Sequence, residues 1–137
     1  MTKPTQLAKW NQIYKNKELK GGSLPNIPQP CSLLSQYHYL LPSHGTALDI
    51  ACGTGGNAIF LANYGLATQA IDISDVAIEQ LNRRNVPGLT ASCQDLEKHP
   101  KLTSISNSTN ATLNSHNKFD VIVVSCYLHR DLCPAII

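Results

Sequence analysis

Between Ala47 and Ala62 the chain reads ALDIACGTGGNAIFLA, and this stretch decides the fold. Beginning at Thr46, TALDIAC is a short apolar run of β-compatible residues with the length of a buried strand rather than a helix. Gly53, Gly55 and Gly56 follow, three glycines within four residues. Such a turn lets bare backbone approach a ligand, and the helix expected over Gly56 to Tyr64 opens with free N–H groups. A purely structural turn needs one glycine, so the segment is read as a cofactor cradle.

Working outward, TQAIDIS predicts a second strand, LTASCQD a third and FDVIVVS a fourth. Ser74 or Asp75 is placed to cap a helix running through Arg84. Upstream, Leu7, Trp10, Ile13 and Tyr14 recur at spacings of three and four, which predicts a helix over Pro4 to Lys17 with one buried face. GGSLPNIPQP, from Gly21 to Pro30, reads as a loop, and a second helix is expected from about Ser32 to Leu41. Strands alternating with helices predict an α/β fold, a Rossmann-like parallel sheet with helices on both faces. The expected organisation is a single domain over 1–137, with N-terminal helices in 1–41 and a cofactor-binding core in 42–137. The polar stretch Thr103 to Lys118 reads as a surface insertion to which no function is assigned.

Composition narrows the class. A net charge of +2 with 15% charged residues leaves no basic stripe of the kind that neutralises a phosphate backbone, so nucleic acid is not an expected partner. No apolar run approaches the roughly 18 residues of a membrane span, and the polar first residues lack a signal-peptide segment. Five scattered cysteines without a C-x-x-C pair fit a reducing compartment, and a cytoplasmic protein is expected. The N-x-[ST] matches at Asn107 and Asn110 are then chance hits.

The glycines alone leave the cofactor open. Gly53, Gly55 and Ala58 also satisfy G-x-G-x-x-[GA], and Asp72 lies 19 residues beyond Gly53, near the dinucleotide spacing of an NAD-dependent oxidoreductase. Asp49 favours another answer: a carboxylate four residues before Gly53 opposes a pyrophosphate but suits a ligand carrying an ammonium and a sulfonium.

D-I-A-C-G-T-G, Asp49 to Gly55, resembles the first motif of class I S-adenosylmethionine-dependent methyltransferases. A-I-D-I-S, Q-D-L and F-D-V-I-V-V extend the resemblance in order along the later strands. The resemblance implies S-adenosyl-L-methionine as cofactor and a small-molecule methyl acceptor as partner. It implies that Asp49, Gly53, Thr54 and Gly55 line the methionine end, that Asp72 accepts from the ribose hydroxyls, and that Asp95 with Leu96 receives the adenine. Ala51 and Ile73 complete the implied cofactor set. For Asp72 and Asp95 the alternative is a strand-end turn or helix cap.

S-C-Y-L-H-R-D-L, Ser125 to Leu132, follows the fourth strand, where open sheets bind ligands, and its Y-L-H-R is similar to small bacterial methyltransferases of the tellurite-resistance group. Tyr127 and His129 are the catalytic candidates, with His129 as general base and Arg130 beside them; a polar position at a helix start is the competing reading of His129. Cys126, His129 and Cys133 lack a fourth ligand and are not read as a zinc site. Trp10 and Tyr14 are read as core residues ahead of a lid over the cofactor. Domains of the resembled class have seven strands and only four are placed here, so the chain is expected to be C-terminally truncated. Its VIVV strand then presents an exposed apolar edge, an aggregation hazard unless another chain or segment pairs with it: the chain is a fragment, the reading favoured, or it self-associates through that edge, or it is poorly stable alone. A non-catalytic cofactor-binding fragment remains the rival to an enzyme.

Overall fold

The computed structural model describes residues 5–21, 26–98, 118–127 and 130–136. Eight elements position the site: α1 (Gln6–Gly21), α2 (Ser32–Gln36), β1 (Thr46–Ile50), α3 (Gly56–Tyr64), β2 (Ala67–Asp72), α4 (Asp75–Asn82), β3 (Leu89–Cys93) and β4 (Val121–Val124). A 3-10 turn over Arg130–Leu132 and the short α5 (Cys133–Ile136) follow. The strands form one sheet in the order β3-β2-β1-β4. Every pairing is parallel: Asp49 stands opposite Ala70 of β2 and Val123 of β4, and Asp72 opposite Cys93. From β1 the chain steps to β2 and β3 on one side, then returns to place β4 on the other, which makes the β1–β4 boundary the switch point where such sheets open a crevice.

Strand alternation explains the layers, because successive side chains point to opposite faces. Ala47 packs with Leu34, Leu61 and Leu66, and Ala70 packs with Ile59, Ile78 and Leu81, so α3 and α4 cover this face. Leu48, Ile50 and Ile71 turn to the other face and meet Leu96, Phe119, Tyr127 and Ile136 of α5. Leu48, Ile50, Leu61, Leu66, Ile71 and Leu81 are fully buried, each contributing about 1.5–3 kcal/mol. Ser74 caps α4 as expected, its Oγ accepting from the Ala77 N–H at 3.2 Å.

Two N-terminal expectations need correction. The second helix is broken: α2 ends at Gln36 and a 3-10 turn takes over at His38–Leu40, with Leu33 67% and Leu40 70% exposed. Tyr37, at φ −107, ψ 21, ends α2, and Pro42 stops the turn that follows, since the residue before a proline is pushed out of helical geometry and Leu41 is extended at φ −70, ψ 142. Helix α1 runs past Lys17 to Gly21, and of its apolar stripe Ile13 and Tyr14 are half-buried while Leu7 and Trp10 are each 40% exposed. Polar bonds also fasten α1 to α4. Asn11 Nδ2 donates to Asp75 Oδ1 at 2.6 Å, Ser74 Oγ donates to Asn11 Oδ1 at 2.6 Å, and Arg83 pairs with Glu18 at 2.9 Å.

Candidate functional site

Beyond the strand tips the backbone reverses. Ala51, Gly53 and Gly55 all adopt positive φ, at 56°, 55° and 91°. A Cβ on Gly53 would lie 2.7 Å from Tyr14 Oη, and one on Gly55 would run into the Leu81 methyls, so both positions need glycine for space as well as for φ. The turn delivers the chain into α3, whose Gly55 N-cap supplies no side-chain bond to the first-turn N–H groups.

Above the turn lies a cavity of about 250 Å³. Its floor is Ile50 and Ala51 at the tip of β1, with Ile71, Asp72 and Ile73 at the tip of β2. Gln94 to Glu97 after β3 and Ser125 to Tyr127 after β4 form its ends, and Gln6, Trp10 and Tyr14 of α1 form its wall. All four strand tips therefore meet at one place, as in open α/β sheets generally.

Six of the expected site residues line this cavity: Ala51, Asp72, Ile73, Asp95, Leu96 and Tyr127. Gly53, Thr54 and Gly55 shape the turn behind its lining. Asp72 is also structural, because its Oδ2 accepts from the Gly53 N–H and its Oδ1 from the Ser74 N–H, each at 2.8 Å. Each oxygen keeps a second lone pair. Asp95 Oδ1 likewise accepts from the N–H groups of Glu97 and Lys98, at 3.1 and 3.2 Å, so the turn-forming and cavity-lining roles coexist.

Asp49 does not line the cavity, contrary to expectation. Strand alternation turns it toward α3, on the face opposite Ile50, where it is 1% exposed and both carboxylate oxygens lack a hydrogen-bond partner. Burial pushes its pKa up to about 7; the Ala58 N–H lowers it without reaching hydrogen-bond geometry, and Asp72 raises it. Trp10 and Tyr14 are corrected the other way. Both stand on the cavity wall, stacked with centroids 6.1 Å apart, and Trp10 is 40% exposed. Arg130 is exposed and absent from the lining, while His129 lies outside the described residues.

Among the described lining residues the charged side chains, Asp72, Asp95 and Glu97, are all acidic. The two tyrosines are held protonated: burial, then Asp72 and Cys52, pushes Tyr14 up to about 12, and burial followed by Glu97, Asp95 and Asp72 raises Tyr127. At neutral pH Tyr127 is thus a hydroxyl donor rather than a base. Sequence reasoning missed Gln6, Gln94, Glu97 and Ser125; Gln6, Trp10 and Tyr14 are spaced four apart, a mixed polar and aromatic stripe that marked the helix face turned to the cavity.

Fold and site together define a doubly wound α/β domain with a cavity across the tips of its parallel sheet. The chain belongs to the family described as Methyltransferase domain, which matches residues 48–132. Three solved structures share the fold. A TehB-like SAM-dependent methyltransferase from Corynebacterium glutamicum is 19% identical with a TM-score of 0.53, over 93% of this chain and 61% of that one. Thermoplasma acidophilum 1320 is 18% identical with a TM-score of 0.55, over 90% and 65%. A putative S-adenosyl-L-methionine-dependent methyltransferase from Methanococcus maripaludis is 21% identical with a TM-score of 0.51, over 74% and 48%. The chain thus spans less than two thirds of the length of each of these structures. No curated protein matches it.

Proposed function

We propose that this domain binds S-adenosyl-L-methionine and serves methyl transfer to a small-molecule acceptor. The observation that carries the reading is the charge of the cavity: among the described residues its charged lining is wholly acidic and stands beside the aromatic rings of Trp10, Tyr14 and Tyr127. That lining attracts a cationic ligand and repels a pyrophosphate. Family membership and the glycine turn agree with it.

When bound, S-adenosylmethionine supplies an electrophilic methyl group on a sulfonium. Asp95, at the tip of β3, would hold the adenine, and the free lone pairs of Asp72, at the tip of β2, the ribose hydroxyls. The glycine turn between β1 and β4 would then receive the amino-acid end. Asp49, buried behind the turn with both oxygens unpartnered, would serve that end from there. The work left to the chain is positioning: α1 shields the cleft with Trp10 and Tyr14, and the Tyr127 hydroxyl orients an acceptor. His129 is our candidate base where an acceptor must lose a proton.

Further parts of the reading concern the whole molecule. We place the protein in the cytoplasm, in keeping with five cysteines that form no disulfide, and no described helix is long and apolar enough to cross a membrane. We also assign self-association to the β4 edge. Among the described residues β4 pairs only with β1, and Val124 is 38% exposed. Sedimentation of the wild type beside Val123→Lys tests that assignment: a monomeric wild type ends it. Trp10, the single tryptophan, stands on the cavity wall and reports binding directly. Saturable change of its emission with S-adenosylmethionine is expected. Absence of binding by folded protein, or a response to NADH in its place, refutes the proposal.

A further inference from the structure

Asn57, in the first turn of α3, is buried and joins two distant segments. Its Oδ1 accepts from the backbone N–H of Cys31 at 2.8 Å, and its Nδ2 donates to Ser125 Oγ at 2.9 Å. The polarity of this chain of bonds is fixed. A backbone N–H only donates, so the amide oxygen must face Cys31 and the amide nitrogen must face Ser125. Ser125 Oγ is thereby an acceptor in that bond, and its own proton is free for another partner. Ser125 lines the cavity at the tip of β4, and Cys126 after it is held at a positive φ of 56°.

A hydroxyl donor at this place matters because the charged lining among the described residues is acidic. With the base at β3 and the sugar at β2, the strand order β3-β2-β1-β4 sets the amino-acid end of the ligand against β1 and β4. The carboxylate there is the one anionic group of the ligand and needs donors. We infer that Ser125 donates a hydrogen bond to the carboxylate of the bound cofactor, and that Asn57 is the positioning residue that aims it. This inference rests on the cofactor reading above.

The test titrates S-adenosylmethionine and its decarboxylated analogue into wild type, Ser125→Ala, Ser125→Thr, Asn57→Asp and the Asn57→Asp/Ser125→Ala double variant, following heat and Trp10 emission. Asn57→Asp is informative because a carboxylate still accepts from Cys31 but now also accepts from Ser125, drawing the hydroxyl proton away from the cavity. Ser125→Ala and Asn57→Asp are each expected to weaken S-adenosylmethionine about 10-fold while leaving the decarboxylated analogue unchanged, and Ser125→Thr to retain affinity. In the Ser125→Ala background, Asn57→Asp should cost nothing further. Equal affinity of wild type and Ser125→Ala overturns the inference. So does equal weakening of both ligands, or an Asn57→Asp effect that persists without the Ser125 hydroxyl, which marks charge repulsion instead. If Asn57→Asp does not fold, the Ser125→Ala and Ser125→Thr pair decides. Failure of wild type to bind either compound refutes the cofactor reading itself.

Discussion

Replacing Asp49 with asparagine should change how stability depends on pH. The Asp49 carboxyl has a pKa of about 7 in the fold against an ordinary 3.8, with burial as the chief cause. Between those values the folded chain binds more protons at this site than the unfolded chain. Stability from this group is therefore full below about pH 4 and declines as pH rises through 7. At about 1.4 kcal/mol per pH unit, the gap corresponds to on the order of 4 kcal/mol, a large share of the 5–15 kcal/mol that holds a typical domain. The asparagine amide is neutral throughout and nearly isosteric with the carboxyl, so Asp49→Asn removes this slope. Urea unfolding of both proteins between pH 5 and 8.5 measures it. The variant is expected to be the more stable at pH 8, by up to that amount, with the difference shrinking toward pH 5. Parallel profiles would refute the reasoning, since they would mean that the carboxylate finds partners or water when it ionises.

Other substitutions probe the cleft and the core. Gly53→Ala places a methyl against Tyr14 Oη at a φ of 55°, and should cost about 1–2 kcal/mol in thermal melts and weaken S-adenosylmethionine binding by calorimetry. Asp72→Asn turns one of two engaged acceptor oxygens into an NH2 group facing a backbone N–H; a loss of about 1–3 kcal/mol is expected by denaturant titration, together with loss of cofactor binding. Leu48→Ala empties the centre of β1 and should cost about 2–5 kcal/mol with its cofactor contacts intact, so a stability loss below about 1 kcal/mol would contradict the packing described.

How far the sequence discloses this molecule depends on the range of each interaction. The strand, glycine turn and helix from Thr46 to Tyr64 were legible because apolar run length, punctuation by glycine and helical spacing are local signals that all agree. Asp72, Asp95 and Tyr127 were found because the tips of parallel strands converge in any such sheet. Asp49 stands one layer from the cavity lining: its position along β1 is legible locally, but its face is set by the alternation that turns it toward α3 and Ile50 toward the cavity. The apolar spacing of α1 predicts a buried face, and Ile13 and Tyr14 are half-buried, whereas Leu7 and Trp10 are each 40% exposed and side-chain bonds to α4 help hold the helix. Asn57 and Ser125 stayed hidden because their bond spans 68 residues, and no local pattern marks a partner at that distance.

The polar attachment of α1 has a dynamic consequence. Bonds such as Asn11 to Asp75 and Arg83 to Glu18 are made near solvent, where water replaces them at little net cost. Beyond these the helix gives up only the half-buried Ile13 and Tyr14 and the part-buried bonds to Ser74 and Gln80, so it lifts at a free energy below global unfolding. Its amide hydrogens should exchange with deuterium long before those of β1 and β2. Trp10 and Tyr14 travel with it, which makes this excursion a gate whose rate bounds how fast any occupant enters or escapes.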